Sequence, residues 1–360
     1  MCVLNACSSD QAVTKSTEKL TESYSYSHPI QFNPPRYHCQ QISSAIKIDG
    51  ILNDTGWKDI PWTTNFVDIE GSLKPKPQFE TKSKLAWDST NLYIAAYLEE
   101  KHIWAKLTER DAVIYHDDDF EVFIDPDGDG HNYFEFEMNA FNTVWDLLML
   151  YPYYIDTGKN YMFNWNYEAI ETAVHHNGTL NDASDIDSSW TVEIAIPFAA
   201  FEDLAKVELP PTEGDIWRLN FSRVDWPVGI NGKGEYEKQK DASGKNLSEQ
   251  NWVWAPTGFV NMHKPETWGY LIFTESELQH SLPKDEKIKW ALWQLYYQLK
   301  ASKESEELCS MSKLKIPQVN IEGYHFDPEL DDSQYGFFLS AKALDGRDIV
   351  INHKAQIQYH

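Results

Sequence analysis

Basic residues are scarce in this 360-residue chain, where 31 Lys and Arg stand against 56 Asp and Glu for a formal charge of −25. A polyanion such as DNA or RNA would be repelled unless the bases were gathered on one face, and the sequence gathers them nowhere. No apolar run approaches the ~20 residues of a membrane-spanning helix, so no such helix is expected. Cysteine is thin as well. Cys2, Cys7, Cys39 and Cys309 are scattered, without a CxxC pair or metal-ligand spacing, which argues against a disulfide framework or a zinc site. The usual catalytic signatures are missing: there is no GxSxG, HExxH, P-loop or GxGxxG. His175 and His176 are adjacent, so on a strand they would face opposite sides. Asp118 with Glu121 is the nearest candidate for a catalytic carboxylate pair, but acids are too common here for the pairing to carry weight. No enzyme is expected.

What the chain has in quantity is aromatic rings: 14 Trp, 19 Tyr and 17 Phe. Apolar residues make up 42% and charged residues 24%, the composition of a folded globular protein. From about residue 46 to residue 273 the dominant pattern is period-two alternation between turn clusters. Phe120, Val122 and Ile124 share one strand face, and Glu121 and Phe123 the other. Phe134, Phe136 and Met138 point inward from the next strand, with Tyr133, Glu135, Glu137 and Asn139 outward. Residues 91–98, 190–196, 217–222 and 268–273 alternate similarly, and 198–204 reads as one short helix. Residues 285–300 switch to three/four spacing, with acids first and Lys300 and Lys303 last, which predicts an amphipathic helix. Beyond it, 319–326, 335–343 and 349–358 read as three strands, with Asp345-Gly346 as a hairpin turn. The fold class is therefore mainly β: a two-sheet antiparallel β-sandwich over residues 37–275 and a small α+β unit, one helix plus three strands, over 276–360.

The N-terminal 36 residues are Ser-, Thr-, Lys- and Glu-rich with little aliphatic periodicity, and they read as a tether. Within them, Leu4-Asn5-Ala6-Cys7-Ser8-Ser9 resembles the end of a bacterial lipoprotein signal, with Cys7 as the lipidated residue. The charged and apolar regions that should precede such a box would then lie upstream of Met1. The expectation is an envelope lipoprotein, periplasmic or on the outer membrane, touching the membrane only through its lipid.

Two constellations carry chemistry. Asp125-x-Asp127-x-Asp129-Gly130 places carboxylates at alternate positions before a turn-forming Gly, as in the first half of a calcium loop. The twelfth position is Phe136 instead of a bidentate Glu, so either a structural Ca²⁺ site or a solvated Asp/Gly turn fits. No organic cofactor is expected. The second constellation is a series of short motifs in order: Ile48-Asp49-Gly50 with Trp57, Leu85-Ala86-Trp87-Asp88, Asp118-Asp119-Phe120-Glu121-Val122-Phe123-Ile124-Asp125, Phe136-Glu137-Met138-Asn139, and Trp268-Gly269-Tyr270. Together they resemble a family 9 carbohydrate-binding module in its divergent stand-alone bacterial form.

The resemblance implies a non-catalytic protein that captures polysaccharide for catabolism, with a glycan as ligand and glycoside hydrolases as partners. It also implies that two rings clamp a terminal sugar while a Glu, an Arg and an Asn bond its hydroxyls. Glu121 takes the place of that Glu, Tyr115 of the first ring and Asn139 of the Asn. Glu137 stands where the family has Arg, and Met262, beside His263, where it has the second ring. Trp252 and Trp254, which alternate near a loop, are further stacking candidates, as is Trp226. Two other readings stay open. One is a b-type haem electron-transfer sandwich using Met262 or His263 with Met138 or Met149. The other is a structural or docking module of an envelope assembly.

Overall fold

The alternating segments become strands because each buries one or both faces. The computed structural model describes residues 28–360 except 156–157, 168, 203, 205, 277–279, 305–309 and 334–335. Cys2, Cys7, Cys309 and most of the expected tether lie outside the described residues. Among the described residues fifteen strands precede the long helix: β1 (Arg36–Gln41), β2 (Val67–Asp68), β3 (Thr81–Trp87), β4 (Asn91–Glu99), β5 (Asp119–Asp125), β6 (Tyr133–Asn139), β7 (Val144–Met149), β8 (Tyr161–Met162), β9 (Glu171–Asn177), β10 (Ser189–Pro197), β11 (Ile216–Asp225), β12 (Val228–Ile230), β13 (Tyr236–Lys238), β14 (Gln250–Val253) and β15 (Gly269–Thr274). The helix α1 spans Asp285–Glu304, and β16 (Glu329–Ser333), β17 (Gly336–Lys342), β18 (Asp348–Asn352) and β19 (Ile357–Tyr359) follow.

The sandwich has one leaf in the order β8-β7-β6-β5-β11-β15 and another in the order β3-β4-β10-β9. The pairs within each leaf are antiparallel. β1 lies between β15 and β3 and is parallel to both, so hydrogen bonding runs from one leaf into the other. Phe120, Val122, Phe136, Leu219 and Phe221 of the first leaf meet Leu85, Ile94, Val192 and Ile194 of the second in one dry core. The short segment after Pro197 is a single 3-10 turn, Phe198–Phe201, whose Phe201 ring packs 5.0 Å from that of Trp217.

The first leaf is covered on its outer face too. Phe123, Tyr133, Leu147, Met149 and Val253 pack there beneath Ile69, Ile114, Met262 and Trp268 from the connecting loops. The supposedly outward side chains of β5 and β6 are therefore buried: Glu121 is 6% exposed, Glu135 4%, Glu137 2% and Asn139 0%. Period two identifies which residues share a face, but cannot say whether loops later cover it.

α1 forms as expected, with Ile288, Ala291, Leu292, Leu295, Tyr296 and Leu299 buried along one stripe. It packs against a sheet of four strands, β16-β17-β18-β19, instead of three. Residues 319–326 are not a strand. Ile321 and Phe326 are buried, so the apolar spacing there reflects packing around a turn with Gly323 at φ +75°. The acidic β16 forms the edge in its place, and charge on an edge strand deters further pairing. Residues 349–358 split into β18 and β19 around Ala355 at φ +62°.

This unit docks on the first leaf. Glu286 of α1 accepts hydrogen bonds from Arg218 (3.1 Å) and from the Tyr270 hydroxyl (2.6 Å), both on its outer face. Ile357 N donates to Asp129 O at 3.0 Å, and the Gln356 and Gln358 amides donate to Asp129 Oδ2 at 2.8 and 3.2 Å. Among the described residues no helix is long and apolar enough to cross a membrane.

Candidate glycan-binding face

Tyr115 lies on a 3-10 turn, Ile114–His116, that leads into β5. Its N–H donates to Glu137 Oε2 at 3.0 Å, and its carbonyl accepts from the Trp226 indole at 2.8 Å. These two bonds fix the turn, so the ring stays 38% exposed above the buried acids. Strand register sets Glu121 directly across from Glu137. Tyr115, Glu121 and Glu137 are thus brought together, with Tyr115 at the surface and both carboxyls beneath it. His263 joins them, its Nδ1 2.8 Å from the Tyr133 hydroxyl and its Nε2 3.9 Å from Glu135 Oε1.

The remaining candidates are structural. Asn139 spends its amide on Leu107 O (2.8 Å) and Asp117 Oδ2 (3.0 Å), and its oxygen on Phe141 N and Thr143 N. Nothing is left for a ligand. Trp252 and Trp254 are each 3% exposed. Trp252 stacks on the Arg223 guanidinium, 5.0 Å from its centroid. Trp254 lies so close to Gly269 that an added Cβ there would sit 2.4 Å from its ring. Both alternate on the face that turns toward the core, not toward the loop. Met262 is 8% exposed and packs with Trp268, whose indole bonds its carbonyl at 2.8 Å. Met138 lies in the inter-leaf core and Met149 in the outer layer, so Met138 and His263 occupy opposite faces of the leaf.

The rings after β7 lie outside any alternating pattern, and the structure brings them to the same face. Tyr153 is 46% exposed, with its ring 4.2 Å from that of His263 and 5.7 Å from that of Tyr161. Tyr161 and Phe163 are also exposed and in contact, 6.3 Å between centroids. Burial raises the Tyr153 phenol, and the charges of Glu135, Tyr161, Glu137 and Tyr115 raise it further. The available signal was the cluster Tyr151-Pro152-Tyr153-Tyr154, rings that follow a strand without alternating.

The acids between the rings are held neutral-leaning. Burial pushes Glu121 up to about 7, and burial with mutual repulsion raises Asp119, Glu135 and Glu137 well above the usual carboxylate range. Burial takes His263 down to about 3, so its imidazole is uncharged. Neutral or partly protonated carboxyls can both donate and accept hydrogen bonds. Trp226 also lines a cleft of about 1030 Å³, together with Phe79, His102, Gln239 and Asn251.

Hydrogen bonds brace the Asp125 loop. Asp125 accepts from Gly128 N and Gly130 N, both at 2.9 Å, and Asp127 from Asp129 N and Lys206 N. Asp129 accepts from His131 N and from the two Gln amides. The three carboxylates do come within 4.8 Å of one another, which is compatible with a shared cation.

A two-leaf sandwich with exposed rings above a polar floor is the build of a ligand-binding module. Residues 48–225 match the family described as "Carbohydrate family 9 binding domain-like", and this part of the chain is a domain of that kind. Among solved structures, the chain is similar to a family 9 carbohydrate-binding module from Caldicellulosiruptor kristjanssonii in complex with cellotriose (16% identity, 69% of this chain and 98% of that one, TM-score 0.42). The same module in complex with glucose gives 15% identity, 69% and 100% coverage and TM-score 0.42. A Bacteroides uniformis structure gives 15% identity, 67% and 100% coverage and TM-score 0.46. No curated protein matches the chain.

Proposed function

We propose that this protein is a non-catalytic glycan-binding module whose ligand lies on the face between Tyr115 and Tyr153. The observation that carries the reading is two exposed rings within the matched family domain: Tyr115, whose N–H bonds Glu137, and Tyr153, packed on the His263 ring whose Nε2 lies 3.9 Å from Glu135. A pyranose offers apolar C–H faces to exposed rings such as Tyr115 and Tyr153 and its hydroxyls to polar groups at their margin. Tyr153 supplies the second ring that Met262 does not. Trp226, whose indole bonds the Tyr115 carbonyl, also lines the cleft of about 1030 Å³, a volume at the upper end for small-ligand sites.

The same reading makes Cys7 a lipidated residue and residues 1–36 a tether, so that the module works at the bacterial envelope beside glycoside hydrolases. Mass spectrometry of the mature N-terminus tests the lipid. A glycan array followed by affinity electrophoresis in soluble polysaccharide tests the binding: retardation by at least one polysaccharide is expected, and none across plant, algal and bacterial glycans refutes it. Release of reducing sugar in the same gels would turn the reading toward hydrolysis.

A further inference from the structure

Asp119, Glu121, Glu135 and Glu137 crowd one face of β5 and β6, all at most 6% exposed. Oxygens of Asp119, Glu121 and Glu137 lie within 4.8 Å of one another. Their partners are few. Asp119 Oδ1 accepts from Val224 N at 3.0 Å, and Glu137 Oε2 accepts from Tyr115 N at 3.0 Å. Asp119 Oδ2 and Glu135 Oε2 are sealed from solvent and have no hydrogen-bond partner. Among the described residues no Lys or Arg forms an ion pair with any of the four; the buried cations Arg218 and Arg223 are engaged with Glu286 and with Glu100 and Asp225. The nearest imidazole nitrogen, His263 Nε2, is 3.9 Å from Glu135.

Four unpaired carboxylates cannot remain ionised together in a buried pocket. Protons shared among the carboxyls are one way to remove the charge. A cation set between them is another, with their oxygens as ligands. The donor set is oxygen only, which suits a hard ion that takes several carboxylates and water and does not suit zinc or copper. We propose that Asp119, Glu121 and Glu137, with Glu135 at the edge, form a divalent-cation site of the calcium class. It is separate from the Asp125 loop, where each carboxylate oxygen already accepts a hydrogen bond. The inference does not depend on the glycan reading.

The test uses the full chain, stripped with chelator, at about pH 8. Ca²⁺ is titrated by calorimetry, and Tb³⁺ by luminescence sensitised through the nearby rings. Wild type is expected to bind and to melt at higher temperature with Ca²⁺ than with chelator. Asp127→Asn is expected to keep this ion. Glu121→Gln/Glu137→Gln should lose it, with affinity down at least ~100-fold. In chelator the double variant should melt at or above the wild-type temperature, because two repelling charges are gone; that melt also shows that it folds, and Glu137→Gln alone repeats the comparison with a smaller change. The proposal is overturned if Ca²⁺ neither binds nor raises the melting temperature of wild type. It is equally overturned if the double variant keeps full stoichiometry, or if Asp127→Asn removes all binding.

Discussion

Replacing Arg223 by Met should destabilise the sandwich by about 3–5 kcal/mol near pH 8, the range for leaving buried charges without their partner. The side chain is fully buried. Its guanidinium donates to Glu100 and Asp225 and to Glu99 O (2.7 Å) and Thr81 Oγ1 (3.1 Å), and it lies over the Trp252 ring. Met fills much of the volume, so the loss is electrostatic more than a cavity. Burial pushes Glu100 up to about 7 even with Arg223 attracting it. A carboxyl raised in the fold contributes stability that is full below its unfolded value, near 4.5, and is lost as pH rises through 7. Near pH 5 Glu100 is therefore protonated in the native state, and losing the guanidinium costs less. Urea unfolding followed by tryptophan fluorescence at both pH values measures the difference. A loss under ~1 kcal/mol at pH 8, or one as large at pH 5, would refute the reasoning.

Other outcomes follow from single contacts. Glu193→Ala should cost about 3 kcal/mol, read by urea unfolding, because its carboxylate accepts from Trp57 Nε1 (2.7 Å), Gly50 N (2.8 Å) and Asp49 N (3.0 Å). Gly50→Ala should be at least as damaging by the same assay: φ there is +80°, and a Cβ would sit 2.6 Å from His175 N. Glu286→Ala strands buried Arg218 and frees Tyr270, so limited proteolysis should cut between the sandwich and α1 faster than in wild type.

The sandwich was legible because alternation in β5, β6, β10 and β11 follows directly from burying one strand face. α1 was legible from its stripe and end charges. The motif at Asp49, Gly50 and Trp57 was visible as a pattern, but its cause, the Glu193 carboxylate 143 residues beyond Gly50, is a long-range contact that no local spacing encodes. Burial of Glu121, Glu135 and Glu137 was missed for the same reason: Ile69, Met262 and Trp268 arrive from distant loops to cover them. Tyr153 was missed because loop rings leave no period to read. Trp252 and Trp254 were misplaced because their spacing gives a shared face without saying which one.

The most direct test of the central claim is calorimetric titration of the best-retarded oligosaccharide into wild type and into Tyr115→Ala/Tyr153→Ala. Each ring contact is worth ~1 kcal/mol or more, so the account predicts at least a thirtyfold weaker Kd for the pair, with the melting temperature little changed since both rings are exposed. An unchanged Kd would place the sugar elsewhere and contradict the account.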